Sequence, residues 1–442
     1  MRRVFVSSLF VAACFAAVVP GRGLRAADEA FPAPAALPVI DGLPDPLVFR
    51  DGTPVKTGQE WFDKRRPELK RLFAHYMYGV APAAPTNLKA EEVRVNRQLF
   101  DGKATKSEVL LSFGPPGTPP ISLLVVLPNK RPATGKVPMF VGVSFCGNHT
   151  VLDEPDIAIP QTWMYKHCPG CENERATEKG RGGQKELWST DLLVERGYGL
   201  AVFYNGDIDP DQPNFDDGVH PHFRPAGTPP TPESWGSVAA WAWGVSRVVD
   251  YLHTRDDVDT RRIAAFGHSR LGKTVLYAAA VDERIGLTVP HQSGTGGCAL
   301  SRDNDQETVE RINRVFPHWF NDHFAAFGDK PEQVPLSKLP IDQHLLIALV
   351  APRAVFDTEG EQDKWANFDH SFRAIQAADK AFKFVGSSGL KTREPLSGET
   401  PFTDENCGNL VQYRRDTPHV VNRDYWRRIL DFADLHWNRT AK

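Results

Sequence analysis

Short apolar segments, each bounded by proline or glycine, alternate along the chain with amphipathic segments of helical period. Apolar runs of about four to eight residues predict buried strands, and apolar residues spaced three and four apart predict packed helices. This alternation predicts a largely parallel sheet covered by helices on both faces, an α/β fold. The predicted strands cover residues 108–113, 121–127, 139–145, 200–204, 263–266, 285–290 and 354–357. The predicted helices cover residues 60–78, 231–252, 274–281, 309–320, 342–350 and 424–437.

A long polar stretch, residues 147–190, separates two of the predicted strands and contains no clear repeat. In an exported enzyme, an insertion of this kind usually forms the rim of a site. The sequence shows no internal repeat and no linker, so residues 27–442 are predicted to form one domain with long insertions.

Residues 1–26 have the pattern of a secretory signal peptide. Arg2 and Arg3 form a basic start, residues 4–19 are almost wholly apolar, and small residues follow, with cleavage expected after Ala26. The apolar run is too short for a stable membrane span, and no later segment reaches the roughly 20 apolar residues that a spanning helix needs. We therefore expect a protein that is secreted or periplasmic and has no membrane span.

Charge and cysteine content narrow the possible partners. The formal net charge of −3 does not indicate a nucleic-acid partner. Of six cysteines, Cys14 leaves with the signal peptide, so five remain and at least one thiol is unpaired. Cys168 and Cys171 have the spacing of a metal or redox site, but no second pair completes a zinc site, so a local disulfide or free thiols are expected. We expect no metal, no cofactor and a monomer.

Residues 267–273 read Gly-His-Ser-Arg-Leu-Gly-Lys and lie between a predicted strand and an apolar helix. A serine on a sharp strand-to-helix turn is the nucleophile elbow of the α/β-hydrolase fold. Gly267 permits the tight turn, and the helix start can stabilise the oxyanion that forms when the Ser269 hydroxyl attacks a carbonyl. The alternative for Ser269 is a helix N-cap, and the motif is imperfect because Leu271 stands where a small residue is usual.

Hydrolases of this fold carry their triad in the order serine, acid, histidine. The loop after the predicted strand 354–357 is the usual place for the acid, and there we choose Asp363, with Glu361 as the alternative. His419 lies in a loop before the last predicted helix and is the expected base. His268 is expected to point away from the nucleophile, and most other histidines are expected to be structural or exposed.

Residues 267–273 resemble the Gly-Cys-Ser-Arg-x-Gly-Lys signature of glucuronoyl esterases, carbohydrate esterase family 15. The resemblance extends over roughly residues 60–437 and implies an α/β-hydrolase fold. It implies Ser269 as nucleophile, His419 as base and Arg270 as an aid to the oxyanion. The other similar segments lie at 196–199, 204–211, 293–297, 316–320, 339–344 and 363–365.

The resemblance also implies the substrate, the ester that joins glucuronate of xylan, often 4-O-methylated, to lignin alcohols. Lys273, Glu307 and Trp365 match the positions that hold the uronate hydroxyls and ring. Charged side chains form strong hydrogen bonds to vicinal hydroxyls, and a tryptophan offers a flat face to a sugar. From the residues alone, Lys273 would be a solvated helix residue and Glu307 an acid at a helix start.

Two departures from the family pattern concern the site. Many members carry a glutamate where this chain has Gln292, which cannot carry the negative charge that stabilises an imidazolium. The acid must then come from the later loop, as in many bacterial members, and this favours Asp363. His268 replaces the cysteine before the nucleophile and Val420 follows the base, so the disulfide that joins these loops in fungal members is missing.

Two other functions fit parts of the same pattern. An acetyl-xylan esterase or another carbohydrate ester hydrolase would use the same triad. A catalytically inactive glycan-binding protein is the alternative from a different class, with Gln292 as its best support. The presence of Ser269, Asp363 and His419 argues against the inactive protein.

Overall fold

A ten-stranded sheet lies at the centre of the chain in a computed structural model that describes residues 31–225 and 227–440. The strands are β1 Lys89–Gln98, β2 Ala104–Ser112, β3 Ile121–Pro128, β4 Val137–Ser144, β5 Gly199–Tyr204, β6 Val258–His268, β7 Leu287–His291, β8 Ala354–Gly360, β9 Leu396–Ser397 and β10 Leu410–Arg415. Their order in the sheet is β1-β2-β3-β5-β4-β6-β7-β8-β10-β9. Pairs from β1 to β5 are antiparallel, and pairs from β5 to β9 are parallel.

Helices connect most of the parallel strands. The α-helices of the described residues are α1 Gly58–Glu60, α2 Arg66–Phe73, α3 Leu99–Gly102, α4 Lys185–Trp188, α5 Thr190–Glu195, α6 His220–Phe223, α7 Ser237–Leu252, α8 Arg270–Val281, α9 Val309–Val315, α10 Asp322–Ala325, α11 Gln343–Ala348, α12 Phe368–Phe384 and α13 Arg423–Thr440. Turns of π-helix at Trp61–Arg65 and Ala74–Tyr78 make residues 58–78 one continuous helical segment.

Helices cover both faces of the sheet, as the sequence pattern predicts. Thr288 and Val289 are neighbours on β7, so their side chains point to opposite faces. The Thr288 hydroxyl donates to the backbone oxygen of Val275 in α8 at 3.2 Å, whereas Val289 packs in a hydrophobic cluster with α5 and α13. Every residue of β4, β5, β7 and β8 is buried, which explains the continuous apolar runs of β4 and β5.

The helix predicted over residues 231–252 begins later, at Ser237. The residues before it pair with a neighbouring segment instead, because the Val80 N–H donates to the backbone oxygen of Glu233 at 2.9 Å. Pro232 was therefore misleading as a sign of the helix start, because hydrogen bonds to a distant segment hold the backbone there.

Among the described elements, the sequence did not predict β1, β9, β10, α12 and the short helices α3, α4, α5, α6 and α10. β1 is an almost fully exposed edge strand without alternating apolar residues, so its pattern carries little signal. The helix predicted over residues 309–320 ends at Val315, since Pro317 disfavours a helical backbone at the residue before it. The remaining predicted strands and helices are confirmed, with small shifts of their ends.

The predicted signal peptide, residues 1–26, lies outside the described residues. From Pro32 onward the chain forms one compact unit. None of the helices in residues 31–225 and 227–440 is long and apolar enough to cross a membrane.

The cysteine pairing differs from the expectation of a local bond or free thiols at Cys168 and Cys171. Cys168 forms a disulfide with Cys146, which lies 22 residues earlier, and Cys171 carries a free thiol. The disulfide ties the polar insertion to the segment that follows β4. Spacing along the chain misled here because the partner comes from another loop.

Candidate active site

Ser269 occupies a sharp turn between β6 and α8. Its backbone φ of +60° lies in the left-handed region that residues other than glycine rarely adopt. A Cβ at Gly267 would lie 2.0 Å from the backbone oxygen of Leu271, so the turn requires glycine there. Within the described chain the Ser269 side chain makes no capping hydrogen bond to α8, which argues against the N-cap alternative.

His419 and Asp363 form the hydrogen bond expected between a base and its acid. His419 Nδ1 lies 2.5 Å from Asp363 Oδ2, which leaves Nε2 of the ring to face a nucleophile. Asp363 lies just after β8 and is only 6% exposed. Its second carboxylate oxygen accepts from the Ala366 N–H at 3.4 Å, which orients the group. The structure thus brings Asp363, and not Glu361, against His419.

A cavity of about 290 Å³ connects Ser269 and His419, and its walls are mostly apolar. Among the hydrogen bonds of the described residues, none joins these two side chains. Such bonds are often long in free enzymes and shorten when substrate binds. The insertion at 147–190 forms part of the wall, as the sequence predicts. It contributes Tyr165, His167, Cys168, Gln184, Leu187 and Trp188.

Arg270 lines the same cavity and is held by a buried carboxylate and four aromatic rings. Its guanidinium donates to Asp211, which also accepts from His318 Nε2 and Trp319 Nε1, each at 2.8 Å. Burial acts to raise the pKa of the Asp211 carboxyl, but Arg270 and these hydrogen bonds hold it below its usual value. The guanidinium orientation is therefore fixed. The rings of Phe145, Tyr165, Phe316 and Trp319 have their centroids 4.6, 5.7, 4.9 and 4.7 Å from it.

Lys273, Glu307 and Trp365 lie in one hydrogen-bonded chain. Lys273 Nζ donates to Glu307 Oε2 at 3.0 Å, and Trp365 Nε1 donates to Glu307 Oε1 at 3.1 Å. The ammonium also donates to the backbone oxygens of Ser293 and Thr295, each at 2.7 Å. Burial lowers the pKa of Lys273, and Glu307 opposes that shift. Lys273 is 2% exposed, so the expectation from the residues alone that it is solvated is wrong. Glu307 is also buried, and it accepts hydrogen bonds from two other predicted site residues.

His268 does not point away from the site. Its ring centroid lies 4.4 Å from that of His419, and it lines the cavity. A hydrogen bond of 3.2 Å between His268 Nε2 and Gln292 Oε1 draws the ring toward residues 416–422, the base loop that carries His419. Burial, with His419 and His291 adding to its effect, lowers the pKa of His268 well below its usual value, so the ring is neutral. His268 and Gln292, which both depart from the family pattern, therefore contact each other. Only the fact that both positions differ from the family together could have predicted this contact.

Known proteins with similar sequences show the family to which this chain is related. A family model described as glucuronyl esterase, fungi, matches residues 230–386. The chain is 40% identical over 404 residues to a carbohydrate esterase from an unknown prokaryotic organism, and the match covers 90% of both chains. It is 27% identical to a 4-O-methyl-glucuronoyl methylesterase of Cerrena unicolor, over 78% of this chain and 62% of the relative.

Solved structures share the fold. A promiscuous esterase of carbohydrate esterase family 15 from a marine bacterial metagenome is 39% identical, with a TM-score of 0.80 over 91% of this chain and 98% of that chain. The glucuronoyl esterase from Solibacter usitatus is 34% identical, with a TM-score of 0.80 over 91% of this chain and 100% of that chain. With this α/β-hydrolase fold and these sequence matches, the chain belongs to the glucuronoyl esterases, the carboxylic ester hydrolases of carbohydrate esterase family 15.

Proposed function

We propose that this enzyme hydrolyses the ester between glucuronate or 4-O-methylglucuronate of xylan and lignin alcohols, through an acyl-enzyme on Ser269. The observation that carries the proposal is the 2.5 Å hydrogen bond between His419 and Asp363 beside the strained serine turn. Relatives named 4-O-methyl-glucuronoyl methylesterase support the same class of ester.

In the first half-reaction, His419 Nε2 takes the hydroxyl proton while the oxygen of Ser269 bonds to the ester carbonyl carbon. Asp363 accepts from Nδ1, fixes the ring and stabilises the imidazolium. When the tetrahedral intermediate collapses, its bond to the alcohol oxygen breaks and that oxygen takes the proton from His419. The alcohol leaves, and the glucuronoyl group stays on the serine.

In the second half-reaction, a water molecule gives a proton to His419 and its oxygen bonds to the acyl carbon. The bond to Ser269 breaks, the serine oxygen takes the proton from His419, and glucuronate is released. The oxyanion of both steps lies at the N-terminal end of α8, where backbone N–H groups and Arg270 can stabilise it. Because Asp211 and the aromatic rings already hold the guanidinium, little reorganisation accompanies the reaction.

For the uronate, we propose the chain formed by Lys273, Glu307 and Trp365. Lys273 lies four residues after Ser269, one helical turn along α8, so both project from the same side of the helix start. The three hydrogens of the Lys273 ammonium already go to Glu307 and two backbone oxygens, so Lys273 holds Glu307 in place. The Glu307 carboxylate is the group proposed to accept from a sugar hydroxyl and so to direct the ester carbonyl to the nucleophile. Trp365 is the half-buried member at the surface, and the guanidinium carbon of Arg311 lies 4.4 Å from its ring centroid.

Hydrolysis of benzyl glucuronate by the purified mature protein tests the proposed function directly. We expect kcat/KM for this ester to exceed kcat/KM for an aryl acetate and for acetylated xylan. Preference for the acetyl esters would instead favour an acetyl-xylan esterase. A well-folded protein that hydrolyses none of the three esters would be a glycan-binding protein.

We also propose that the chain is exported before it acts, as a monomer. Residues 1–26 carry the signal pattern, and the Cys146–Cys168 disulfide is typical of an oxidising compartment. N-terminal sequencing of the protein from the culture medium or the periplasm would show cleavage after Ala26. Analytical ultracentrifugation of that sample would give the mass of a single chain.

A further inference from the structure

The side-chain amide of Gln292 reaches the base loop on both sides of His419. Its Nε2 donates to the backbone oxygen of Pro418 at 2.9 Å, and its Oε1 accepts from the Val420 N–H at 2.9 Å. The side chain is 2% exposed, so water does not compete for these bonds. The two backbone groups that flank the catalytic base are therefore fixed by one buried amide.

The surroundings of this amide are shaped to hold it. The backbone of Gln292 has a φ of +45°, in the left-handed region, and its N–H donates to the Thr358 oxygen at 2.9 Å. A Cβ at Gly360 would lie 2.3 Å from Gln292 Nε2 and 2.5 Å from the backbone oxygen of Thr417. Strained backbone and a required glycine at one point are typical of a functional site.

A third contact joins the amide to the nucleophile turn. Gln292 Oε1 also lies 3.2 Å from Nε2 of His268, which directly precedes Ser269. Because the carbonyl of Pro418 can only accept and the N–H of Val420 can only donate, the amide orientation is determined. The oxygen therefore faces His268, so the hydrogen of this neutral ring is on Nε2.

We propose that Gln292 is a positioning residue for His419, which it holds in register with the turn that carries Ser269. The proposal rests on the proposed function, in which His419 is the base. One amide joins three points: the turn before the nucleophile and the residues before and after the base. It acts through His419 and does not touch the ester.

The geometry requires an amide and not a carboxylate. A glutamate at position 292 could still accept from Val420 and His268, but its second oxygen would face the carbonyl oxygen of Pro418. Two acceptors in contact repel each other, so the loop would shift. Both polar atoms of the side chain are directed at the backbone of the base loop, so such a glutamate would not replace Asp363.

The test compares Gln292→Glu and Gln292→Met with the wild type, using benzyl glucuronate and active sites titrated with a serine-directed phosphonate. A misplacement of about 1 Å costs on the order of 100-fold in rate. We therefore expect kcat per titrated site to fall by about 10- to 100-fold in both variants, while KM changes by less than about threefold. Gln292→Glu should also fail to restore kcat in an Asp363→Asn background.

Gln362→Met is the matched control. Gln362 is exposed, and its side chain donates at 2.9 Å to Asp416 of the base loop, whereas no described hydrogen bond joins its side chain to the Pro418 oxygen or the Val420 N–H. We expect its kcat to stay within about twofold of the wild type. If the two Gln292 variants lose melting temperature but keep kcat per titrated site, the residue is merely structural and the proposal fails. Rescue of Asp363→Asn by Gln292→Glu would overturn it equally.

Hydrogen exchange in the wild-type protein decides the matter if neither Gln292 variant folds. The Val420 amide, bonded to a buried oxygen, should exchange at least about tenfold more slowly than the amide of His419 beside it. Equal, fast exchange of both amides would refute the proposal. This readout needs no activity, so a wild type that is inactive on benzyl glucuronate would refute the proposed function alone.

Discussion

Lys273 and Glu307 form an ion pair of 3.0 Å in which both side chains are almost fully buried. The second carboxylate oxygen of Glu307 accepts from Trp365, whose ring is half-buried at the site. The buried ion pair is thus connected by a hydrogen bond to Trp365, which lies at the proposed sugar site. Changes along this chain should separate stability from substrate choice, depending on which member is altered.

Lys273→Met should destabilise the protein strongly. It leaves Glu307 buried without its cation, and the loss of one partner from a buried pair typically costs about 3–5 kcal/mol. Urea denaturation of the variant and the wild type measures the difference in unfolding free energy. A loss below about 1 kcal/mol would mean that solvent reaches Glu307 and that the pair is not buried in solution.

Trp365→Phe should impair recognition of the uronate at a smaller cost in stability than Lys273→Met. It keeps an aromatic ring but removes the N–H donated to Glu307, and hydrogen bonds to charged groups contribute about 1.5–3 kcal/mol. We expect kcat/KM for benzyl glucuronate to fall by about tenfold or more, with kcat/KM for an aryl acetate nearly unchanged. Trp163→Phe is the control, because Trp163 is a half-buried tryptophan of the insertion 147–190 and is not among the described residues that line the cavity. Equal losses on both substrates would indicate a structural role for Trp365.

Ser269→Ala should abolish the esterase activity and keep the fold. Loss of a triad member typically lowers kcat by about 10⁴ or more. Turnover of benzyl glucuronate is the measurement, and circular dichroism with a melting curve confirms the fold. Substantial turnover by a well-folded sample would exclude Ser269 as the nucleophile.

Asp363→Asn should lower kcat by several orders of magnitude with a modest change in KM. The amide can keep the hydrogen-bonded shape but lacks the charge that stabilises the imidazolium, and it can favour the wrong tautomer. Glu361→Gln is the comparison and should cost little, since the structure directs Asp363 at His419. A large loss of kcat in Glu361→Gln with a nearly unchanged kcat in Asp363→Asn would identify Glu361 as the catalytic acid instead.

Because of the Asp357 carboxyl, we expect the free energy of unfolding to fall as the pH rises from about 4 to about 6. Burial raises the pKa of this carboxyl to about 6 although Gln412 donates to it at 2.8 Å, whereas an aspartate in an unfolded chain titrates near 4. The native state therefore binds the Asp357 proton more tightly than the unfolded state does. The protonated carboxyl stabilises the native state fully below pH 4, and this stabilisation is lost as the pH rises through the native pKa.

Asp357→Asn removes this titration. The unfolding free energy of the wild type, relative to the variant, should therefore fall between pH 4 and pH 6 and stay level above that window. Urea denaturation of both proteins at four pH values gives this difference. A difference that does not change with pH would show that the Asp357 carboxyl titrates normally.

The sequence predicted the parts of the fold and site that rest on local pattern. The buried strands and the glycine beneath the Ser269 turn follow from short segments. Because Gln292 cannot supply a charge, the sequence directs the acid to the loop after β8, and the structure places Asp363 of that loop against His419. The role of each residue in catalysis stays a prediction.

Features that depend on distant segments could not be predicted. The disulfide of Cys168 with Cys146 and the contact of His268 with His419 join different loops, and nothing in their local sequence specifies a partner. The burial of Lys273 was missed for the same reason, because Glu307 lies 34 residues later along the chain. In each case tertiary contact decides the environment of the side chain.

The pairing of Arg270 with the buried Asp211 has a consequence for turnover. The ester carries no charge at its reacting carbon, but the product of hydrolysis carries a carboxylate there. An unpaired arginine would hold that anion strongly, whereas Arg270 shares its charge with Asp211 and attracts a stable carboxylate less than a free guanidinium would. Free glucuronate should therefore dissociate readily and inhibit only weakly, so the enzyme can continue to work as the acid accumulates.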